Sequence, residues 1–175
     1  MFFDEFGYSF LERLGRTWAP RGQRPIVRRV TRDRRALTTA VGLTLSGKIY
    51  KRYFDGGMDS EDVITALEHL RRFMPEGFIL ILDRASIHTS EVTVRYFWDH
   101  PEIVVEPLPP YAPELNPEEY CHGNVKSRLT NATPDDRDQM RRFLDRGFAR
   151  LRRRPDLLLR FVHAAGLPVK QLWLP

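Results

Sequence analysis

The segment Phe78-Ile79-Leu80-Ile81-Leu82-Asp83 is the strongest fold signal in the chain, because five consecutive apolar residues lie between Gly77 and an aspartate. An apolar run of this length predicts a strand covered on both faces, as in a parallel sheet. Asp83 then lies at the carboxyl end of the strand, where open α/β sheets place their sites. The alternative is a turn in which the Asp83 carboxylate accepts hydrogen bonds from nearby backbone N–H groups.

Strand and helix signals alternate around this segment. The predicted elements are a short strand within residues 1–10, a hairpin of strands 36–45 and 48–54, a helix over 60–74, a helix from Thr89 or Ser90 to about Asp99, and a strand starting at Ile103. Turn residues, capping residues and apolar periodicity support each of them. This alternation predicts α/β architecture with right-handed crossovers.

Helical signals fill the remainder of the chain. Asn116 as N-cap with Pro117 at the first helical position opens one helix, and Thr133-Pro134 repeats this arrangement for the next. A last helix is predicted over about residues 155–165. The helix that opens at Thr133-Pro134 has an apolar face, and arginines recur every four residues on another face. These arginines are Arg142, Arg146, Arg150 and Arg154. We expect all 175 residues to form one domain.

Composition narrows the classes of function. With 42% hydrophobic and 29% charged residues, the chain has the composition of a folded protein. Its net charge of +5 is carried mainly by arginine, which suits phosphate and indicates a polyanion as partner. The alternative is that these arginines form an ordinary solvated face.

Export and membrane insertion are not indicated. Cys121 is the only cysteine, so the chain has neither an internal disulfide nor a thiolate metal site. No stretch approaches 18 uncharged apolar residues, and the N-terminus is acidic where a secretory signal is basic. We expect a cytoplasmic protein.

Three acidic positions could form a metal site. Asp4 follows Phe2-Phe3, and burying it costs several kcal/mol unless it is paired or metal-bound; the alternative is a frayed, exposed strand end. Glu118 and Glu119 follow Asn116-Pro117, where acids also complement the helix dipole. Because these two glutamates point roughly 100° apart on a helix, at most one is expected to face a shared site.

Carboxylates from three separate elements, if they converge, suit two-metal phosphoryl transfer. Mg²⁺ prefers oxygen ligands and retains waters, which leaves room for substrate oxygens. The acids together with the arginines therefore predict hydrolysis or transfer of phosphodiester bonds.

Four segments resemble the DDE catalytic domain of bacterial insertion-sequence transposases in the mariner superfamily. They are residues 3–7 (FDEFG), 18–23 (WAPRGQ), 82–88 (LDRASIH) and 108–119 (LPPYAPELNPEE), followed by Lys126. The resemblance covers roughly residues 2–130. It implies an RNase H-like fold, in which helices flank a mixed five-stranded sheet, with Asp4 and Asp83 on adjacent central strands and the third acid on a following helix.

The same resemblance implies that Asp4, Asp83 and Glu119 are the catalytic residues and metal ligands. The Asn-Pro-x-Glu motif selects Glu119, which 35 residues separate from Asp83; the usual family spacing is one residue shorter and selects Glu118 as the alternative. Two Mg²⁺ ions are implied, with Mn²⁺ as a substitute. One ion would activate water to cut donor DNA and then the freed 3′-OH for strand transfer.

DNA, as transposon ends and target, is the implied partner. The expected DNA-binding residues are His88, Arg21, Arg84, Lys126, Arg142, Arg146 and Arg150. His88 is expected to orient either a substrate phosphate or a metal ligand. Residues 18–23 are expected to contact DNA or a second subunit, or to form a packed loop. An active homodimer is implied, as is an upstream-frame DNA-binding polypeptide, since the family's N-terminal helix-turn-helix region is absent from this sequence.

Two positions depart from the family pattern. Arg84 replaces the usual asparagine and could repel metal or hold a phosphate, and His122 replaces an aromatic residue. One alternative function is therefore an inactive transposase remnant that dimerises or binds DNA through basic residues 24–35 and 141–154. Another is a different RNase H-like nuclease. The expected location is the bacterial cytoplasm, in association with the nucleoid.

Overall fold

The computed structural model describes residues 1–10, 14–27 and 37–170. Position 36 of the expected hairpin and residues 28–35 of the expected basic segment lie outside these ranges. Strands and helices alternate as predicted. In chain order the elements are β1 (Phe2–Tyr8), β2 (Leu37–Leu43), β3 (Ile49–Asp55), α1 (Ser60–Arg71), β4 (Phe78–Leu82), α2 (Ser86–Thr89), α3 (Glu91–Asp99), β5 (Ile103–Pro107), a 3₁₀ turn (Pro113–Leu115), α4 (Pro117–Ser127), α5 (Arg137–Arg152) and α6 (Pro155–Ala164).

The strands form one mixed five-stranded sheet in the order β3-β2-β1-β4-β5. β1, β2 and β3 pair antiparallel, whereas β4 runs parallel to both β1 and β5. The predicted mixed sheet and the predicted β2-β3 hairpin are confirmed. β1 is the central strand of the sheet and lies between β2 and β4.

The junction between β1 and β4 is short. One residue pair, Phe2 with Ile81, joins the two strands, and the Ile81 N–H donates to the Met1 carbonyl at 2.8 Å. Seven residue pairs join β1 to β2 on its other side. The sheet therefore opens between β1 and β4 beyond Phe2, next to the acidic residues of β1 and the end of β4.

Two helical layers cover the sheet to different extents. Helices α1 and α3 pack on one face against all the strands around Phe3, Leu80 and Ile103. Helices α4, α5 and α6 pack on the other face against β1, β2 and β3. No described helix covers β4 and β5 on that face, and Ile79 is 54% exposed. The prediction that β4 is covered on both faces is therefore wrong, because the second helical layer stops short of it.

Helix boundaries follow capping side chains. α1 begins with a capping box between Asp59 and Asp62. α5 begins at Arg137 because the Asp136 carboxylate accepts from the Gln139 N–H at 2.7 Å, so the predicted start at Thr133 is wrong. The four-residue helix α2 has no side-chain cap and was not predicted. None of the described helices combines the length and hydropathy of a transmembrane segment.

Two glycines with left-handed backbone give a matched stability test. Gly77 (φ 90°) precedes β4, and a Cβ there would lie 2.4 Å from the Glu102 backbone oxygen, whereas Gly56 (φ 83°) has nothing within 4 Å of its Cβ position. We predict that Gly56→Ala lowers the free energy of unfolding by about 1–2 kcal/mol, the left-handed penalty. Gly77→Ala should cost about 1–3 kcal/mol more, from the added clash. Urea unfolding measures both losses, and equal losses would contradict the close β4-β5 approach.

Candidate active site

A cleft of about 420 Å³ opens at the carboxyl end of β4. Strand β1, the segment after β4, the proline-rich segment before α4 and the first turn of α4 all contribute to it. Its lining residues are Asp4, Asp83, Arg84, Ala85, Leu108, Pro109, Pro110, Tyr111, Ala112, Pro113, Asn116 and Glu119. The structure therefore places the three expected acids around one cavity.

Asp4 lies within β1, opposite Val41 of β2. Its Oδ1 accepts from the Glu5 N–H at 2.8 Å and its Oδ2 from the Asn116 Nδ2 at 2.9 Å. The alternative of a frayed, exposed strand end is thus wrong. Burial, followed by the negative charges of Glu5, Glu119 and Asp83, raises the pKa of Asp4 to about 8.

Asp83 is the first residue after β4. Its Oδ1 accepts from the Ala85 N–H at 2.9 Å, as in the turn considered from the sequence, and also contacts His88 Nδ1 at 2.7 Å. The side chain is 57% exposed at the cleft. The turn and the cleft position therefore coexist, because the turn holds one oxygen of the carboxylate and the side chain remains accessible.

His88 connects two acidic side chains. Its Nε2 contacts Glu5 Oε1 at 2.6 Å and its Nδ1 contacts Asp83 Oδ1, while the imidazole is 2% exposed. Burial lowers the pKa of His88, but the two carboxylates outweigh burial and raise it to about 9. A ring buried between two carboxylates is placed to orient Asp83, the second of the two roles expected for it.

Glu5 was missed in the sequence. Alternation along β1 directs it away from Asp4, onto the face that carries α2. An acid next to Asp4 in a central strand is the local signal that could have identified it. Its partner His88 lies 83 residues away, and no local pattern specifies that contact.

Glu118 and Glu119 occupy different environments. Glu119 lines the cleft and is half-buried, and burial together with the Asp83 charge raises its pKa. Glu118, also in the first turn of α4, is fully buried and does not line the cleft. The Asn116 side chain caps the helix by accepting from the Glu118 N–H at 3.1 Å, so neither glutamate side chain is needed as the cap.

The His122 departure is accommodated by packing. Its imidazole is buried, stacks on Phe6 with ring centroids 4.1 Å apart, and meets the Phe148 ring edge-on. Burial lowers the pKa of His122 to about 3 and raises that of Glu118 well above its usual range. Neutral imidazole therefore fills the position of an aromatic ring, and its Nε2 lies 3.7 Å from Glu118 Oε2.

The expected DNA-binding residues are dispersed. Arg84 is exposed at the cleft, and Lys126 Nζ lies 5.5 Å from the Phe6 ring centroid. The remaining basic side chains lie outside the cleft lining: Arg21 and Arg142 are exposed, whereas Arg146 and Arg150 line a second cavity. Trp18, in the segment 18–23, is 99% exposed, so the packed-loop alternative for this segment is wrong.

Acidic side chains lie around the cleft but do not surround a single point within it. Within the described ranges, no three His, Cys, Asp or Glu side chains are close enough together to form a complete metal-ligand set. The acids instead border an open cavity, where burial and then the charges of the neighbouring acids raise the pKa of Asp4. Carboxylate oxygens in this arrangement suit a hard divalent cation that keeps waters and substrate oxygens among its ligands.

Comparison with known proteins assigns the family. The model of the DDE superfamily endonuclease family matches residues 1–141. The chain belongs to this family. No curated protein sequence matches it. The resemblance to DDE catalytic domains inferred from the sequence is confirmed.

Solved structures of the Mos1 transposase share the fold of this DDE superfamily endonuclease. The Mos1 paired-end complex with the left transposon end has a TM-score of 0.61 at 20% identity, over 98% of this chain and 55% of that one. The Mos1 strand transfer complex gives 0.64 at 21%, over 97% and 55%. The catalytic domain of the Mos1 mariner transposase gives 0.57 at 18%, over 97% and 83%.

These comparisons confirm the expected RNase H-like fold. Identities of 18–21% show the shared fold alone. This endonuclease chain spans about half the length of the Mos1 chains in the two complexes.

The raised pKa of Asp4 predicts a pH-dependent stability. Because Asp4 titrates near 8 in the folded chain and at 3.8 when unperturbed, the folded state binds the extra proton between these values and its stability falls as pH rises through them. We predict that the free energy of unfolding without metal declines from pH 6.5 to 8.5, and that Asp4→Asn flattens this decline. Exposed Asp99→Asn is the control. Equal pH slopes in all three proteins would contradict the buried, repelled Asp4.

Proposed function

We propose that this chain is the catalytic part of a transposase, which cleaves DNA strands and joins the freed 3′ end to target DNA with the help of divalent metal. The supporting observation is the meeting of Asp4, Asp83 and Glu119 around one cleft in a DDE superfamily endonuclease. We further propose that the chain forms a single catalytic domain.

Asp4, Asp83 and Glu119 would hold two Mg²⁺ ions, with Mn²⁺ as a substitute. Mos1 structures with Mg and with Mn support the choice of cation. The residues fit such ions, because burial and the neighbouring carboxylates raise the pKa of Asp4, and a nearby cation favours the charged carboxylate. Bound metal supplies Lewis-acid activation of water or of a 3′-OH and stabilises charge on the phosphate.

The chain's own residues position the reactants. Asn116 holds Asp4 through one oxygen, and His88 with the Ala85 N–H holds one oxygen of Asp83. These bonds restrict rotation of both carboxylates before substrate arrives, which lowers the entropic cost of reaching the reactive geometry. Exposed Arg84 at the cleft is placed to bind a substrate phosphate.

The DNA partners in this proposal are transposon ends and target, acting in the bacterial cytoplasm at the nucleoid. The active form is a homodimer, and an upstream-frame DNA-binding polypeptide supplies end recognition. Exposed Trp18 and the neighbouring Arg21 support a contact from the segment 18–23 to DNA or to a second subunit. Aromatic and basic side chains combined in this way suit nucleic acid.

The two neighbouring glutamates give a matched test of the third acid. We predict that Glu119→Gln and Asp83→Asn each reduce Mg²⁺- or Mn²⁺-dependent nicking of supercoiled plasmid by about 100-fold or more, since each removes a metal-binding charge. Glu118→Gln should stay within about threefold, because Glu118 does not line the cleft and a glutamine of equal size conserves its packing.

Two outcomes would count against the proposal. Loss of nicking in Glu118→Gln with retention in Glu119→Gln would move the third ligand to position 118. DNA binding by the wild-type chain, without nicking in either metal, would favour the inactive-remnant alternative.

The His88 bridge predicts a change in metal requirement. His88→Ala frees the Asp83 carboxylate and leaves Glu5 unpaired, so we expect the Mn²⁺ concentration for half-maximal nicking to rise about 10- to 100-fold, as is typical when a partner of a metal ligand is removed. His88→Asn, which can still donate to Asp83, should recover part of the loss. His100→Ala, at a half-buried histidine near Glu68 and Glu102, is the control. Activity that falls only with the folded fraction, at an unchanged Mn²⁺ requirement, would reduce His88 to a packing role.

A further inference from the structure

A second cavity of about 410 Å³ lies between the end of α4 and the middle of α5. Its size is within the roughly 300–1,000 Å³ of small-molecule sites. It shares no lining residue with the active-site cleft. The lining residues are Arg128, Leu129, Ala132, Phe143, Arg146, Gly147 and Arg150.

Close helix packing assembles this arginine-rimmed pocket. A Cβ at Gly147 of α5 would lie 3.0 Å from a methyl group of Val125 in α4, so the missing side chain lets the two helices approach. A hydrogen bond between the two helices also holds Arg150 of α5, because its Nη1 donates to Asn124 Oδ1 of α4 at 3.1 Å. The approach brings Arg128, the C-cap of α4, next to the arginines of α5.

Within residues 1–10, 14–27 and 37–170, the guanidinium groups of the pocket have no carboxylate partner. Arg141, elsewhere on α5, pairs with Asp138 and Asp55 at 3.0 and 2.7 Å. By contrast, Arg128, Arg146 and Arg150 form no ion pair with any described carboxylate, and none of the pocket's lining residues is acidic. Three like charges around one cavity repel one another, and an anion in the cavity offsets that repulsion.

The floor of the pocket is apolar. Leu129 is buried, and Phe143 packs at the margin of the core with the Arg146 guanidinium 5.7 Å from its ring centroid. A phosphate of an intact duplex would reach the arginines and leave this floor empty. An unpaired nucleotide satisfies both parts, because its phosphate meets the guanidinium groups and its base covers apolar and aromatic carbon.

Helix α4 connects this pocket to the cleft. Glu119 is in its first turn and Arg128 caps its end, about 14 Å further along at 1.5 Å per residue. Stacked DNA advances about 3.4 Å per nucleotide along one strand. A strand bound in the pocket would therefore lie within a few nucleotides of a bond held at the cleft.

We propose that this pocket binds an unpaired nucleotide of a DNA strand that flanks the cleavage site, with its phosphate on Arg128, Arg146 and Arg150 and its base over Leu129 and Phe143. The inference rests on the proposed function for its substrate. It adds a binding site separate from the metal-binding acids.

Binding without metal tests the pocket separately from catalysis. The probe is a fluorescein-labelled single-stranded 20-mer and its duplex in EDTA, with anisotropy followed over 50–200 mM salt. Arg146→Gln should weaken single-strand binding about fivefold or more and reduce the slope of log K against log salt by about 0.7, the loss of one phosphate contact. Arg142→Gln is the matched control, an exposed arginine on the same helix outside the pocket, and should change both quantities less.

A substitution of Phe143, at the floor of the pocket, tests the proposed contact with the base. Phe143→Leu keeps apolar volume and loses the flat ring, so single-strand affinity should fall about fivefold or more while duplex affinity changes little. Urea unfolding of each variant checks that the fold is kept.

Two results would overturn the inference. Equal effects of Arg142→Gln and Arg146→Gln would mean that diffuse charge alone binds DNA. Equal losses for single strand and duplex in both pocket variants would exclude an unpaired nucleotide. Single-strand binding by the wild-type chain in EDTA, without nicking in Mg²⁺ or Mn²⁺, separates a failure of the proposed catalysis from a failure of the pocket.

Discussion

Burial of Asp4 beside other carboxylates at the centre of the sheet is the constraint on which the site depends. Burial first, and then the charges of Glu5, Glu119 and Asp83, raise the pKa of Asp4 to about 8. The fold tolerates this cluster because His88 bridges two of the acids with a ring whose pKa is raised to about 9. Under the proposed function, a divalent cation bound at the cleft would offset these charges and stabilise the folded chain.

The alternation of side chains along β1 gives the neighbouring acids Asp4 and Glu5 different contacts. Successive residues of a strand point to opposite faces, so Asp4 meets Asn116 on the face of α4 while Glu5 meets His88 on the face of α2. Because a single residue pair joins β1 to β4, the sheet opens between these strands, and Asp4 and Asp83 line the opening. Asp4 thus lines the cleft, and its neighbour Glu5 contacts the histidine that also contacts Asp83.

Two departures from the family pattern have different consequences. His122 is uncharged and packs among Phe6, Tyr8 and Phe148, so the interior keeps an aromatic ring at that position. Arg84 is exposed at the cleft, where we propose that it binds a substrate phosphate. The arginines of α5 also have different surroundings. Arg141 pairs with acids, whereas Arg146 and Arg150 line a cavity. Net charge alone therefore does not identify which arginines could bind DNA.

Local sequence determined most of the elements and the identity of the acids. The apolar run ending at Asp83 and the Asn116-Pro117 start of α4 are short-range signals, because capping and apolar periodicity act within a few residues. The start of α5 was missed since Asp136 competes with Thr133 as its cap. Coverage of β4, the burial of Glu118, the Glu5–His88–Asp83 bridge and the arginine-rimmed pocket were decided only by the tertiary structure. Each of these depends on which helix packs on which face of the sheet, and that packing joins residues far apart in the chain.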